Sequence, residues 1–170
     1  QSFDHIISMY GLEKERVLTL IAQYPFDYHQ QSVIYIPNDL PEPYGMLDEE
    51  YAKYVTASLA QILPHVYGGI LVLFTSNQLL NTVYYNLKKE EVFNRREILA
   101  YGKDGGRKTL IEALKNNPNE VILMGSGSFW EGIDIQGLGL TTVVIVKLPF
   151  SPPTRPVIAA RLELLEKNKQ

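Results

Sequence analysis

Short apolar runs recur along this chain of 170 residues, and stretches with helical periodicity separate them. Ile70–Phe74 and Val121–Met124 are apolar throughout, which is typical of strands covered on both faces. Strands that alternate with helices predict a doubly wound α/β fold, with a mostly parallel central sheet of about five or six strands flanked by helices. The predicted strands are 17–22 (or an extended lead-in), 32–36, 70–74, 96–100, 121–124 and 141–147, and the predicted helices are 3–12, 49–63, 78–89, 108–116 and 157–167.

Composition excludes some classes of protein but does not identify one. An apolar content of 45% in this length predicts one domain with one core. The net charge of -3 gives no global basic signature, so contact with nucleic acid would need a local patch. The absence of cysteine excludes disulfides, thiolate zinc sites and an iron–sulfur cluster within this segment. No apolar run approaches the roughly 20 residues of a membrane span, and no signal peptide begins the chain, so a cytoplasmic protein is expected.

Common site motifs are not met. Gly102–Thr109 resembles a phosphate-binding P-loop, but Arg107 interrupts the required order. The glycines at 125 and 127 do not complete a dinucleotide fingerprint, because Trp130 stands in the place of the third glycine. Ser126 lacks the closing glycine of a hydrolase nucleophile elbow. The three histidines are far apart and have no carboxylate at ligand spacing, so no metal site is predicted: His5, His29 and His65.

The loop Gly125–Gly137, GSGSFWEGIDIQG, is the strongest candidate for chemistry. It follows a buried strand, and ligands of open α/β sheets bind at the carboxyl edge of the strands. Glu131 and Asp134 are close enough in sequence for one turn to present both carboxylates on one side, and Gly132 lets a ligand approach the backbone. Such carboxylates suit ribose hydroxyls or metal-bound water. The alternative is that they only cap and solvate a loop whose apolar side chains pack on the core.

Two further stretches permit more than one interpretation. Thr75 and Ser76 stand at a strand-to-helix junction, where hydroxyls and backbone N–H groups bind phosphate, or where Ser76 is an ordinary helix N-cap. Lys103, Arg107 and Lys108 form a basic cluster in and after a glycine loop. This cluster either meets a nucleic-acid backbone or is a solvated loop.

Three stretches together resemble one family. They read ILVLFTSNQLL (70–80), VILMGSGSFWEGIDIQG (121–137) and VVIVKLPFSPPTRPVIAARLELLE (143–166). The set is similar to the second RecA-like motor domain, the C-terminal helicase domain, of DinG-type DNA helicases, which are relatives of the XPD family in helicase superfamily 2. The lead-in YPFDYHQQSVIYIPNDLPEP (24–43) looks like the start of that domain. The resemblance covers most of the chain, so residues 1–170 are expected to be one RecA-like three-layer domain of a longer, bacterial protein.

The resemblance implies a motor that binds ATP and Mg²⁺ between two RecA-like domains and moves along single-stranded DNA in repair or replication. It assigns Glu131, Gly132 and Asp134, in motif V, to the ATP cleft. It assigns the following residues to nucleic-acid binding: Phe74, Thr75, Ser76, Ser126, Ser128 and Trp130. The basic cluster adds Lys103 and Arg107 to the predicted nucleic-acid contacts. The expected partners are single-stranded DNA and the first RecA-like domain of the same parent chain, with no membrane contact.

One element of the family pattern is missing from this sequence. Motif VI, Q-x-x-G-R-x-x-R, does not occur and is expected beyond Gln170, and there is no Walker A motif. The segment alone is therefore expected to hold no ATP and to show no ATPase activity. Some DinG-type proteins also carry a 3′–5′ exonuclease domain, so the parent is interpreted as a helicase or a helicase-related exonuclease. The alternative is a non-catalytic nucleic-acid-binding or scaffolding domain, a remnant of such a motor.

Overall fold

The computed structural model describes residues 2–42, 45–93, 95–151 and 154–167. The chain divides into two units, Gln1–Asn38 and Asp39–Gln170. Pro43 of the predicted lead-in and Pro152 and Pro153 of the KLPFSPP stretch lie outside the described residues.

The first unit contains two short α-helices, a 3-10 turn at Lys14–Arg16 and no strand among its described residues. Helix α1 spans Asp4–Met9, and α2 is the single turn Tyr28–Gln31, which Asp27 caps by accepting a hydrogen bond from the His29 N–H. The predicted strand at 32–36 is wrong, and no strand forms over 17–22. Val33 is 93% exposed, and no described residue pairs with its backbone. Side chains that favour extended backbone make a strand only where a neighbouring strand accepts their hydrogen bonds.

The second unit is built on a four-stranded parallel sheet. The strands are β1 (Ile70–Phe74), β2 (Glu97–Ala100), β3 (Val121–Ser126) and β4 (Thr142–Ile145). Their order is β2-β3-β1-β4, and every neighbouring pair is parallel. The described sheet therefore has fewer strands than the five or six predicted, while the predicted parallel arrangement is confirmed.

Four helices accompany this sheet, at positions close to those predicted. They are α3 (Asp48–Ile62), α4 (Asn77–Leu87), α5 (Arg107–Asn116) and α6 (Pro156–Lys167). Each of the first three carries a buried apolar stripe, because its apolar residues recur at helical spacing. No helix among the described residues is long and apolar enough to cross a membrane.

The apolar side chains of the central strands alternate between two cores. Ile70, Val72 and Phe74 of β1 pack with α3 and α4 on one face of the sheet. Leu71 and Leu73 pack with Leu110 and Leu114 of α5 on the other face. Helices therefore cover both faces, which explains why β1 and β3 are buried at every position. The result is the predicted three-layer α/β fold of the RecA-like type.

Candidate functional site

The register of the sheet places the two candidate loops side by side. In the parallel pair of β1 and β3, Phe74 is opposite Ser126, so both strands end at the same level. The chain then continues into Thr75–Ser76 after β1 and into the Gly125–Gly137 loop after β3. Thr75–Ser76 and the beginning of the Gly125–Gly137 loop therefore lie at the carboxyl edge of the sheet, where ligands of open α/β sheets bind. The loop then runs back to the amino end of β1, because the Gly69 N–H donates to the Leu138 carbonyl just after the loop.

Two hydrogen bonds join these stretches directly. The Ser126 hydroxyl donates to the side-chain oxygen of Asn77, the first residue of α4. The Trp130 indole N–H donates to the Phe74 carbonyl at 3.0 Å. Ser126 is only 4% exposed, so its hydroxyl is committed to this internal bond. The loop after β3 is thus fixed to the beginning of α4 and to the end of β1.

Packing against the core also fixes this loop. Phe129 is 1% exposed and belongs to the core that β1, β3 and α5 share. A Cβ built on Gly125 would lie 2.4 Å from the Phe129 Cγ atom, far inside van der Waals contact. Glycine at 125 therefore leaves the volume that the aromatic ring occupies. The residues Gly127–Trp130 form a single 3-10 turn around this buried ring.

Arg107 holds the next part of the loop. Its Nη2 atom donates to the carbonyl oxygens of Glu131 and Gly132, each at 2.9 Å, and its guanidinium lies 5.8 Å from the centre of the Phe129 ring. The sequence predicted Arg107 as a nucleic-acid contact. The structure instead shows its guanidinium bonded to the backbone of the Gly125–Gly137 loop.

The predicted ATP-cleft residues are exposed. Glu131, Gly132 and Asp134 all lie at the surface, and Gly132 adopts φ +66°, a conformation that favours glycine. Among the residues that the structure describes, neither carboxylate makes an ion pair or caps a helix. Asp134 and Gly132 line an open cavity of about 410 Å³ between the loop and α5, with Lys108 and Lys115 on its other wall.

The described residues do not form a metal site by themselves. In the described parts of the chain, no group of three or more histidine, cysteine, aspartate or glutamate residues is placed to hold a metal ion. Exposed carboxylates beside a cavity nevertheless suit a cation that arrives with phosphate groups and keeps much of its water shell.

The predicted site residues near the end of β1 differ in their exposure. The Phe74 side chain is fully buried, so only its backbone is available at the edge, and that carbonyl already accepts from Trp130. Ser76 caps α4 by accepting a hydrogen bond from the Leu79 N–H at 3.3 Å, which confirms the N-cap interpretation. Thr75 is exposed beside this helix N-terminus, and Ser128 is exposed on the neighbouring loop.

Lys103 lies on a different turn, after β2. Its Nζ atom is 5.4 Å from the centre of the Tyr85 ring, and its side chain is exposed. Asp104 ties this turn down, because its carboxylate accepts hydrogen bonds from the Tyr84 hydroxyl at 3.0 Å and from the Ala100 N–H at 2.8 Å. Lys103 therefore stands on a fixed turn at the edge where β2 ends.

Tyr84 should make stability depend on pH above 10. Burial raises the pKa of Tyr84 to about 12 from 10.0, and the hydrogen bond to Asp104 adds to the shift. The folded state keeps the phenolic proton longer than the unfolded state, so this contribution is complete below pH 10 and is lost as the pH rises towards 12. We expect Tyr84→Phe to lose less stability than the wild type between these values, measured by urea unfolding.

The matched control is Tyr67→Phe, because Tyr67 is exposed and lies outside α4. It should keep the wild-type pH dependence. Identical pH profiles for Tyr84→Phe and the wild type would contradict the raised pKa.

Sequence reasoning missed Asn77, although an amide at the first position of a helix is well placed to bond a neighbouring loop. The expectation that apolar side chains pack this loop on the core is confirmed at Phe129. The bonds of Arg107 to the loop were not predicted, although a cation in the first turn of a helix is unfavourable with the helix dipole, which signals a partner elsewhere.

The fold and the bonded loops define a RecA-like α/β domain, and comparison with known proteins agrees. The chain matches the helicase C-terminal domain family over residues 59–170. It is 32% identical to the 3′-5′ exonuclease DinG of Bacillus subtilis, over 98% of this chain and 18% of that protein. It is 33% identical to the ATP-dependent DNA helicase DinG of Photobacterium profundum, over 94% and 22% respectively.

A third relative, the ATP-dependent DNA helicase YoaA of Haemophilus influenzae, is 30% identical over 95% of this chain and 24% of its own length. The chain therefore belongs to the helicase C-terminal domain family, as the C-terminal helicase domain of a DinG-type helicase. It spans about a fifth of the length of these relatives.

Proposed function

We propose that this chain is the second motor domain of an ATP-dependent DNA helicase, or of a helicase-related 3′–5′ exonuclease, that acts on single-stranded DNA in repair or replication. The observation that carries this proposal is the bonding between the loops after β1 and β3, through Ser126–Asn77 and Trp130–Phe74. A motor must couple its strand groove to its nucleotide cleft, and two loops bonded to each other provide a short physical connection.

The nucleotide side of the proposal rests on exposure and chemistry. Asp134 and Gly132 are exposed beside a cavity, and Glu131 is exposed on the same loop. These residues would form one wall of a cleft for ATP and Mg²⁺, and the first RecA-like domain of the parent chain would form the other. When bound, Mg²⁺ would neutralise phosphate charge, and the two carboxylates would orient its water shell.

The nucleic-acid side of the proposal uses the exposed groups at the same sheet edge. Thr75 and Ser128 present hydroxyls, and Lys103 presents a positive charge, all of which suit a phosphate backbone. Phe74, Ser126 and Trp130 would act behind them, through the bonds that hold the two loops, and Ser76 would act by capping α4. Closure of the two motor domains around ATP, a hinge-type motion, would then move the strand.

The 170-residue chain would supply only one wall of the ATP cleft, a half-site, and should bind ATP very weakly. Because this sequence has neither a Walker A motif nor the arginines of motif VI, we expect calorimetry to show no ATP binding tighter than about 1 mM by the 170-residue chain. The full-length protein, measured under the same conditions, should bind ATP in the micromolar range. Micromolar binding by the 170-residue chain would contradict the half-site.

A further inference from the structure

Arg107 occupies a position that its own helix does not favour. It is the first residue of α5, directly after the N-cap residue Gly106. A positive charge in the first turn of a helix opposes the helix dipole, so the helix itself gains nothing from it. The reason for an arginine at this position therefore lies outside α5.

The contacts of Arg107 are with one short turn of the Gly125–Gly137 loop. One nitrogen, Nη2, donates to two successive backbone carbonyls, those of Glu131 and Gly132, each at 2.9 Å. The guanidinium also lies over the ring of buried Phe129. Its Nε atom is buried and has no hydrogen-bond partner among the described residues, so the group is largely withdrawn from solvent at that end.

The acceptors are backbone oxygens, so Arg107 fixes the path of the chain and not a particular side chain. A Cβ on Gly132 would lie 3.5 Å from Nη2, which places the turn in direct contact with the guanidinium. Asp134 follows this turn by two residues. The beginning of the loop is held separately, by Ser126–Asn77 and Trp130–Phe74.

We propose that Arg107 is a positioning residue that holds the Glu131–Gly132 turn at the nucleotide side of the loop and does not contact DNA. This inference rests on the proposed function, because it takes the exposed carboxylates as part of an ATP cleft. Two anchors then restrain the loop, one at the strand end of β1 and one at α5. Loss of the Arg107 contacts at α5 would leave the loop fixed at the end of β1, on the DNA side, and would free the turn that precedes Asp134.

The experiment compares Arg107→Ala and Arg107→Lys with the wild type in the full-length protein. Arg95→Ala is the matched control, because Arg95 is an exposed arginine with no bond to another described residue. Three quantities are measured: affinity for single-stranded DNA as a function of salt, kcat and KM for DNA-stimulated ATP hydrolysis, and the rate at which a glutamate-specific protease cleaves the chain after Glu131.

We expect Arg107→Ala to keep the DNA affinity within about twofold and to keep the salt slope unchanged. Its DNA-stimulated kcat should fall about tenfold, and cleavage after Glu131 should accelerate about tenfold while the strands stay resistant to the protease. Arg107→Lys should recover only part of the loss, because one ammonium on a flexible chain replaces a planar group that stacks and bonds together. Arg95→Ala should match the wild type.

Two results would overturn the positioning role. A loss of DNA affinity with a salt slope reduced by about one, at an unchanged rate of cleavage after Glu131, would make Arg107 a phosphate contact. Faster cleavage within the strands as well would make it a general stabilising residue. Absence of DNA-stimulated hydrolysis in the wild type would reject the proposed function instead, and cleavage after Glu131 would still decide whether Arg107 holds the turn.

Discussion

Gly125→Ala is expected to lower the free energy of unfolding of the 170-residue chain by about 2 kcal/mol, within the usual range for overpacked cores. The added Cβ would lie 2.4 Å from Cγ and 2.6 Å from Cβ of Phe129. Phe129 is buried between α5 and the sheet, so the ring cannot move without disturbing the core and the loop that follows it. Urea unfolding followed by circular dichroism should give a lower midpoint at an unchanged slope.

Gly106→Ala is the control for that substitution. A Cβ at Gly106 meets no atom within 4 Å, and its backbone is extended with φ -81°. Its cost should stay below about 1 kcal/mol, the scale of a helix N-cap change. A wild-type midpoint for Gly125→Ala would show that the loop and Phe129 are not packed as the structure has them.

Asp134→Asn and Glu131→Gln are expected to lower DNA-stimulated ATP turnover of the full-length protein about tenfold or more, at unchanged stability. Removing a charge that acts on bound nucleotide and metal costs transition-state stabilisation, and tenfold corresponds to about 1.4 kcal/mol. Stability should not change, because both side chains are exposed and form no ion pair among the described residues. Steady-state kinetics and urea unfolding measure the two effects.

Glu120→Gln provides the matched control for the carboxylate variants. Glu120 is exposed and precedes β3, at the opposite end of the strand from the candidate site. Its turnover should equal that of the wild type. If Asp134→Asn and Glu131→Gln also keep the wild-type turnover, both carboxylates have only a structural or solvating role.

The buried strands were predictable because their chemistry is local. Ile70–Phe74 is apolar at every position, and the structure gives it the same bounds. The same reasoning failed at 32–36, where the residues also favour extended backbone but no neighbouring strand pairs with them among the described residues. A strand depends on a partner that is often distant in sequence, and local pattern contains no information about that partner.

The sequence predicted where in the fold the candidate site lies, but not the hydrogen bonds that join its loops. Parallel strands end at one edge, so the sequence predicted that edge as the place of the site, without showing which loops are neighbours there. The bonds between them join residues far apart in sequence, 49 positions for Ser126 and Asn77 and 56 for Trp130 and Phe74. Such pairs depend on strand order and register, which hydrophobic periodicity does not specify.

We propose that this chain is one of the two motor domains of a working, DNA-coupled ATPase. ATP hydrolysis by the full-length wild-type protein, with and without saturating single-stranded DNA, tests this proposal. We expect DNA to raise kcat by about tenfold or more, because the loops that would contact DNA and nucleotide are bonded to each other. Hydrolysis that is absent, or that DNA does not change, would contradict the proposal and would favour a non-catalytic remnant of such a motor.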